Sequence, residues 1–250
     1  MNVFLLSLII FVIAVLMTMT GRGGGNFYVL ALAFSGIGMH TAATTGQFIL
    51  IISSLAATIL FGKRKITDWK LVLFIGSLSL FAAFFGGMLS GMFQDKWLKI
   101  IFAGFIFLAS LLMLKSGENE SNSTSTPKMN YFLVVPVVLL TGFVSGMVGI
   151  SGGSFLVPLM ILALRVPVHV AIGTSTTLVL IIASSGFLGH LTSGHFDYRL
   201  ALPLAIAGLV GGILGARLTF KFKPNKIKVL FAVTSFVAAI LMLINAIQIK

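Results

Sequence analysis

Residues 21–30 read GRGGGNFYVL and residues 149–158 read GISGGSFLVP, and these two glycine-rich stretches decide the fold. They lie about half a chain apart in a sequence of 250 residues, and a short apolar run follows each of them. A glycine-rich break before a short helix, repeated in both halves, is typical of secondary transporters built from two copies of one membrane unit. The repeat therefore predicts two related halves, each with a glycine-broken or re-entrant helix.

The composition places the chain in a membrane. Hydrophobic residues make up 58% of the sequence and charged residues only 9%, with a mean hydropathy of +1.13. A soluble domain needs far more charge on its surface. Most of the apolar runs are close to the ~20 residues that a helix needs to cross a bilayer, but the runs 26–39 and 154–164 are shorter. We predict an all-α polytopic membrane protein.

The polar tract between the halves divides the chain. Residues 1–115 are predicted to form the first transmembrane repeat, 116–130 a polar linker, and 131–250 the second repeat. A shift of 128 positions superposes residues 24–27 on 152–155, and a shift of 129 superposes 68–70 on 197–199. A nearly constant offset across half a chain indicates duplication.

The charged loops indicate that the second copy is inverted. The loop 62–70 is strongly basic and the loop 93–99 nearly balanced, whereas in the second half the loop 189–199 is nearly balanced and the segment 217–228 is basic. Because basic loops stay in the cytoplasm, equivalent loops of the two copies are expected on opposite sides of the membrane. This topology also explains the net charge of +12 without nucleic acid as a partner.

An inverted repeat needs an odd number of crossings in each half, and two arrangements satisfy this condition. Each half has either five spans, or three spans and a re-entrant hairpin that turns at the glycines. Both arrangements place the linker in the cytoplasm and both termini outside the cell membrane. The sequence does not choose between them.

The glycine stretches are the first part of the candidate substrate site. A helix that starts inside the membrane has unpaired N–H groups, and glycines let the backbone approach a ligand, so such a start suits an anion. The alternative is that the glycines only permit close helix packing, as expected for Gly142 and Gly146. The substrate-binding residues expected here are Arg22, Gly24, Gly25, Asn26, Ser151, Gly152, Gly153 and Ser154.

A polar segment follows each glycine stretch and extends the candidate site. Small hydroxyl and amide side chains can donate hydrogen bonds to an oxyanion without bringing a fixed charge. Alternatively, Thr and Ser hydroxyls in a membrane helix bond back to their own backbone carbonyls. The candidates in these segments are Thr44, Thr45, Gln47, Gly173, Thr174 and Ser175.

The apolar runs contain no carboxylate, and this favours an anionic substrate. The acidic residues all fall in expected loops or in the linker: Asp68, Asp95, Glu118, Glu120 and Asp197. A cation transporter or a proton pump usually keeps an acidic side chain within the membrane. We therefore expect a small anion and the lipid bilayer as partners, and no cofactor. The sequence leaves open whether the chain forms a homo-oligomer.

Two histidines occupy similar places in the halves. His40 and His169, one residue out of register at the 128 offset, are candidates for proton coupling or for hydrogen bonding to the anion. The alternative is that they are polar interfacial residues near helix ends. His190 and His195 are expected in an outer loop. Four scattered histidines and the absence of cysteine predict no metal site.

Residues 149–152 also match the G-x-S-G pattern around the nucleophile of rhomboid-type intramembrane proteases, with His190 as a conceivable base. The first half has Gly23 in place of Ser151, so the repeat gives no support to catalysis. We expect that the protein is not an enzyme, and an intramembrane serine hydrolase is the weakest alternative.

The second half resembles a known family. Residues 141–159, TGFVSGMVGISGGSFLVPL, together with AIGTS at 171–175 and GLVGGILGAR at 208–217, resemble the TauE/SafE family of sulfite and organosulfur anion exporters. The resemblance implies a transporter of a small sulfur-containing anion, such as sulfite, sulfoacetate or a related sulfonate, across the cytoplasmic membrane. With the repeat, it suggests alternating access. A passive anion channel is the alternative.

Overall fold

A computed structural model describes residues 3–94, 131–192, 194 and 196–223, and parts of the segments 96–108 and 226–240. Within these residues the regular structure is helical, and the linker 116–130 and the residues Asp95, Glu118, Glu120 and His195 lie outside them. The α-helices are α1 Val3–Met19, α2 Gly25–Phe34, α3 Met39–Lys63, α4 Trp69–Leu89, α5 Tyr131–Val148, α6 Gly153–Leu162, α7 Val168–Leu191 and α8 Tyr198–Thr219. A 3-10 helix, Ser90–Met92, continues α4.

The long apolar helices confirm the prediction of an all-α membrane protein. Among the described residues, α3, α4 with its 3-10 extension, α7 and α8 are long and apolar enough to cross a bilayer. The most buried of them is α7, with 72% of its apolar window inside the protein, against 39% for α4. The outer helices α4 and α8 expose large apolar side chains such as Leu73 and Ile206. Such faces suit contact with lipid.

The two halves make equivalent contacts. Helix α1 packs against α8, and its counterpart α5 packs against α4. Helix α3 packs against α8 as α7 packs against α4, and α3 and α7 pack against each other. This exchange of partners is expected of a duplicated unit with a pseudo-twofold axis between α3 and α7. The inversion of the halves across the membrane and the boundaries at 115 and 131 remain predictions.

The helix starts explain why two offsets fit the repeat. Helices α2 and α6 start 128 positions apart, whereas α3 and α7 start 129 apart. The extra residue lies in the loop 163–167, the counterpart of 35–38. His40 and His169 are each the second residue of their helix. At the offset of 129 that these helix starts give, the two histidines are in register.

Glycines bring outer helices into backbone contact at equivalent places. A Cβ on Gly86 of α4 would meet the carbonyl oxygen of Phe143 on α5, and a Cβ on Gly215 of α8 would meet that of Val15 on α1. A Cβ on Gly146 would likewise meet the backbone of Ala83. Small residues permit such close approach of membrane helices. The packing role expected for Gly146 is confirmed.

Replacing Gly86 by alanine is expected to lower stability by about 1–3 kcal/mol, because the added methyl group overpacks a backbone contact. The thermal unfolding midpoint in detergent measures this effect. Gly104→Ala is the matched control, since a Cβ at Gly104 would meet nothing within 4 Å in the described structure. Equal midpoints for the two variants would contradict the packing argument.

Candidate functional site

Two short helices start inside the protein. Helices α2 and α6 have 10 residues each, so each is about 15 Å long, half the ~30 Å of a bilayer core. The residues leading into them, 20–24 and 150–152, are buried. Both N-cap residues, Gly24 and Gly152, are glycines without a side-chain cap. The first-turn N–H groups of both helices therefore lie in the interior without the capping side chain that usually accepts from them.

Left-handed glycines end the preceding helices in the same way. Gly21 has a φ of +75° and Gly149 a φ of +76°. The N–H of Arg22 donates to the carbonyl of Met17 at 3.2 Å, and that of Ile150 to the carbonyl of Ser145 at 3.1 Å. This is the C-terminal arrangement that favours glycine, because other residues are strained at such a φ. The sequence thus breaks both helices at equivalent points.

The two breaks lie against each other. A Cβ on Gly25 would come within 2.8 Å of the backbone nitrogen of Ser151. A Cβ on Gly153 would come within 2.7 Å of the carbonyl oxygen of Gly21 and 3.0 Å of the Cα of Arg22. These contacts involve backbone atoms, which cannot move aside as a side chain can. Glycine at both helix starts is what allows α2 and α6 to meet.

A hydrogen-bonded pair joins the two helix starts. Asn26 Nδ2 donates to Ser154 Oγ at 2.6 Å, and the two residues are 128 positions apart. Asn26 Oδ1 accepts from the backbone N–H of Ser151 at 3.2 Å and from its hydroxyl at 3.3 Å. Asn26 and Ser154 are equivalent at the offset of 128, so residues at matching positions of the two halves are in direct contact. We call Arg22, Asn26, Ser151 and Ser154 the central cluster.

Arg22 adds a positive charge to the central cluster. Its side chain is only 1% exposed. Arg22 Nε donates to Ser154 Oγ at 3.2 Å and Nη1 donates to Thr234 Oγ1 at 3.1 Å, while Cζ lies 5.7 Å from the ring centroid of Phe27. A guanidinium carries five N–H donors and no acceptor. The cluster is therefore rich in donors, as an anion site must be.

Two further predicted residues connect the halves beside the cluster. Ser175 on α7 donates from its hydroxyl to the carbonyl of Gly21 at 2.9 Å. Gln47 on α3 donates from Nε2 to the carbonyl of Gly146 at 3.1 Å, just before the second break. Both side chains are completely buried. Helix α7 thus holds the backbone at the first break, and α3 holds the backbone just before the second break.

The remaining predicted residues lie apart from the cluster or bond locally. Thr174 Oγ1 accepts from the backbone N–H of Asp68 at 2.9 Å, and Gly173 packs against the carbonyl of Ile66. Thr44 donates back to the carbonyl of His40 at 2.9 Å, and Thr45 is buried in the same helix. His40 and His169 are half-buried in the first turns of α3 and α7.

His190 is not in an outer loop, and that prediction was wrong. It lies in the last turn of α7 and is 1% exposed. Its Nε2 is 2.8 Å from the carbonyl oxygen of Gly146, and its Nδ1 is 3.0 Å from Ser90 Oγ. A Cβ on Gly189 would meet Phe84 O and, at 2.8 Å, Met88 N on α4. Gly189 is the sequence feature that could have indicated this burial, because a glycine in a membrane helix permits close contact with a neighbouring helix, here α4.

Sequence comparison decides the family to which these features belong. The chain matches the profile of the sulfite exporter TauE/SafE family over residues 6–242, which includes both glycine breaks. The chain belongs to the TauE/SafE family. The match confirms the resemblance first noted in the second half, and it makes the protein a membrane transporter of the TauE/SafE family.

The curated relatives cover nearly the same length. A probable membrane transporter protein of Methanocaldococcus jannaschii is 28% identical over 96% of this chain and 95% of its own length. The Bacillus subtilis probable membrane transporter proteins YunE and YdhB are 28% and 25% identical, covering 84% and 96% of this chain and 86% and 99% of their own lengths. No solved structure matches the chain. The TauE/SafE assignment thus covers whole chains.

Proposed function

We propose that this TauE/SafE protein is a secondary transporter that moves a small sulfur-containing anion, such as sulfite or a sulfonate, across the cell membrane. One observation carries the proposal: two buried helix starts with glycine N-caps meet at the central cluster, beside the guanidinium of Arg22. The positive ends of helix dipoles favour anions. The family's description as sulfite exporters supports the class of substrate.

The donors of the central cluster suit a small oxyanion. In the present conformation Arg22 and Asn26 both donate to Ser154 Oγ. A bound sulfite would replace the Ser154 hydroxyl as the acceptor for Arg22 and Asn26. The Ser154 hydroxyl would then donate a third hydrogen bond to the sulfite. Hydrogen bonds to a charged group contribute about 1.5–3 kcal/mol each. The guanidinium would repel a cation at the same place.

The burial of the cluster supports alternating access. Arg22, Asn26, Ser151 and Ser154 are at most 1% exposed, so the present conformation is closed towards both sides. We propose that the halves are inverted repeats that rock against each other at the α3–α7 contact. Gln47 and Ser175, which reach across the halves, would exchange partners as the site opens.

Purified protein in liposomes tests the proposal. Vesicles loaded with unlabelled sulfite are expected to take up labelled sulfite by counterflow, with a rate that saturates as the external concentration rises. Methanesulfonate, sulfoacetate and sulfate complete the panel, and protein-free vesicles are the control. Flux that does not saturate, together with single-channel currents, would show that the protein is a channel and not a transporter. Absence of flux for every sulfur oxyanion would end the proposal.

A further inference from the structure

His190 belongs to a second buried polar group that the anion site does not use. Its imidazole joins three elements: α7, which carries it, α5 through the carbonyl of Gly146, and the 3-10 helix through Ser90. Ser90 and His190 are at most 1% exposed. The polar residues Gln94 and Thr192, which follow the 3-10 helix and α7, are exposed. The histidine therefore lies close to the end of its helix, one layer below polar surface residues.

The hydrogen bonds around His190 accommodate both of its charge states. The carbonyl of Gly146 can only accept, so Nε2 carries a proton in either state. In neutral imidazole, Nδ1 accepts from the Ser90 hydroxyl. When a proton binds to Nδ1, that nitrogen donates to Ser90 Oγ, and the hydroxyl turns to the carbonyl of Gly87, which is 2.7 Å away. One proton is added, one hydroxyl rotates, and the buried imidazolium keeps two acceptors.

The same group is linked to the second glycine break. The carbonyl of Gly146 accepts from both His190 Nε2 and Gln47 Nε2. Ser145 Oγ lies 3.5 Å from the place of a Cβ on Gly152, the N-cap of α6. Gln47 Oε1 and Ser145 Oγ are buried and have no hydrogen-bond partner among the described residues. A positive charge on His190 would strengthen its hydrogen bond to the carbonyl of Gly146. The hydrogen bond from Gln47 to the same carbonyl would become weaker.

The other titratable groups on the helices packed here lie at distant ends. Lys70 is in the first turn of α4 and His169 in the first turn of α7, both about 30 Å along the helix from this site. His40 and Lys63 lie at the two ends of α3, and α5 carries only Tyr131, in its first turn. Exposed Lys96 follows the 3-10 helix, and Asp95 and His195 lie outside the described residues.

We propose that His190 is the proton-binding site that couples anion movement to a proton gradient. The proposal rests on the proposed transport function. A proton taken up on Nδ1 would loosen the Gln47–Gly146 bond and so bias the second break towards opening. In the predicted topology the ends of α4 and α7 face the outside, so the proton would enter from there. Coupling is thereby assigned to His190 rather than to the half-buried His40 and His169.

The test uses methanesulfonate, whose sulfonate group stays ionised and cannot itself carry the proton. The complete chain is placed in liposomes with a pH difference of one unit across the membrane. Equal potassium concentrations on both sides, with valinomycin, hold the membrane voltage at zero. With one proton per anion, the parent protein is expected to accumulate the anion about tenfold, since one pH unit corresponds to 1.36 kcal/mol. A trapped pH dye should report proton movement at the same time.

His190→Gln keeps a donor for Gly146 and an acceptor for Ser90 but cannot bind the proton. We expect it to retain counterflow at equal pH and to lose accumulation and proton movement, while His40→Gln and His169→Gln keep both. Accumulation by His190→Gln equal to that of the parent would overturn the proposal. So would a parent protein that exchanges the anion without any response to pH, and that result would leave the proposed transport function intact.

Ser90→Ala gives a second measurement if His190→Gln does not fold. Without the Ser90 hydroxyl the imidazolium loses one acceptor, so the pH midpoint of methanesulfonate uptake should move to lower pH. A midpoint unchanged from that of the parent would count against His190. A purely structural role for the histidine would reduce the rate without moving the midpoint.

Discussion

Alanine in place of Gly153 is expected to slow anion transport by about 100-fold. The new methyl group would lie 2.7 Å from the carbonyl oxygen of Gly21 and 3.0 Å from the Cα of Arg22. It would also lie 2.9 Å from Ser175 Oγ. Relief of this overlap must separate α6 from the first break, which moves Ser154 away from Asn26 and Arg22. Overpacking costs up to about 3 kcal/mol, and the same energy in a transport step is about 100-fold in rate.

Counterflow of sulfite in liposomes measures this effect, with size-exclusion chromatography as the check on folding. Gly104→Ala is again the matched control, because it adds the same methyl group where the described structure leaves open space. A Gly153→Ala protein that transports at the parental rate would show that the contact between the two helix starts is not part of the transport site.

Glutamine in place of Arg22 is the second change with a large expected effect. Glutamine keeps an N–H donor but removes the positive charge and most of the donors of the guanidinium. The loss of charged hydrogen bonds, about 1.5–3 kcal/mol each, predicts a fall in transport efficiency of about 10- to 100-fold. The loss should appear mainly as a higher half-saturating sulfite concentration, because the charge acts on anion binding.

Arg22→Lys separates the charge from the geometry. Lysine retains the charge but cannot bond two hydroxyls in the fixed fork of arginine, as Arg22 does with Ser154 and Thr234. Efficiency is expected in the order arginine, lysine, glutamine, measured from the concentration dependence of sulfite counterflow. A glutamine variant with parental half-saturation would exclude Arg22 from the binding site.

The repeat made much of the central cluster predictable. Glycines at equivalent places and the polar residues beside them predict that Arg22, Asn26, Ser151 and Ser154 share a site. The contact between Asn26 and Ser154 is what the predicted twofold relation between the halves would produce, because equivalent residues near such an axis meet each other. Composition and run length were enough for the all-helical membrane architecture.

Contacts between distant segments could not be predicted in this way. Thr234 bonds Arg22 from 212 positions away, and no motif or repeat connects the two. Thr174 is next to Ser175, but its hydroxyl accepts from the backbone N–H of Asp68 in the α3–α4 loop. Adjacent residues of a helix point in different directions, so only one of the two faces the first break. His190 could not be placed from sequence, because a polar residue near the end of an apolar run fits the start of a loop as well as a buried last helical turn.

The Asn26–Ser154 bond has an evolutionary consequence. If two separate, identical subunits had formed this structure, the position on the axis would have held the same side chain twice, and any change there would have altered both sides together. Joining the copies in one chain released that constraint. In this chain the equivalent positions hold asparagine and serine, and Arg22 stands at the position equivalent to Ile150. A duplicated chain can thus form an asymmetric substrate site, and a single substitution can change one half of that site without changing the other.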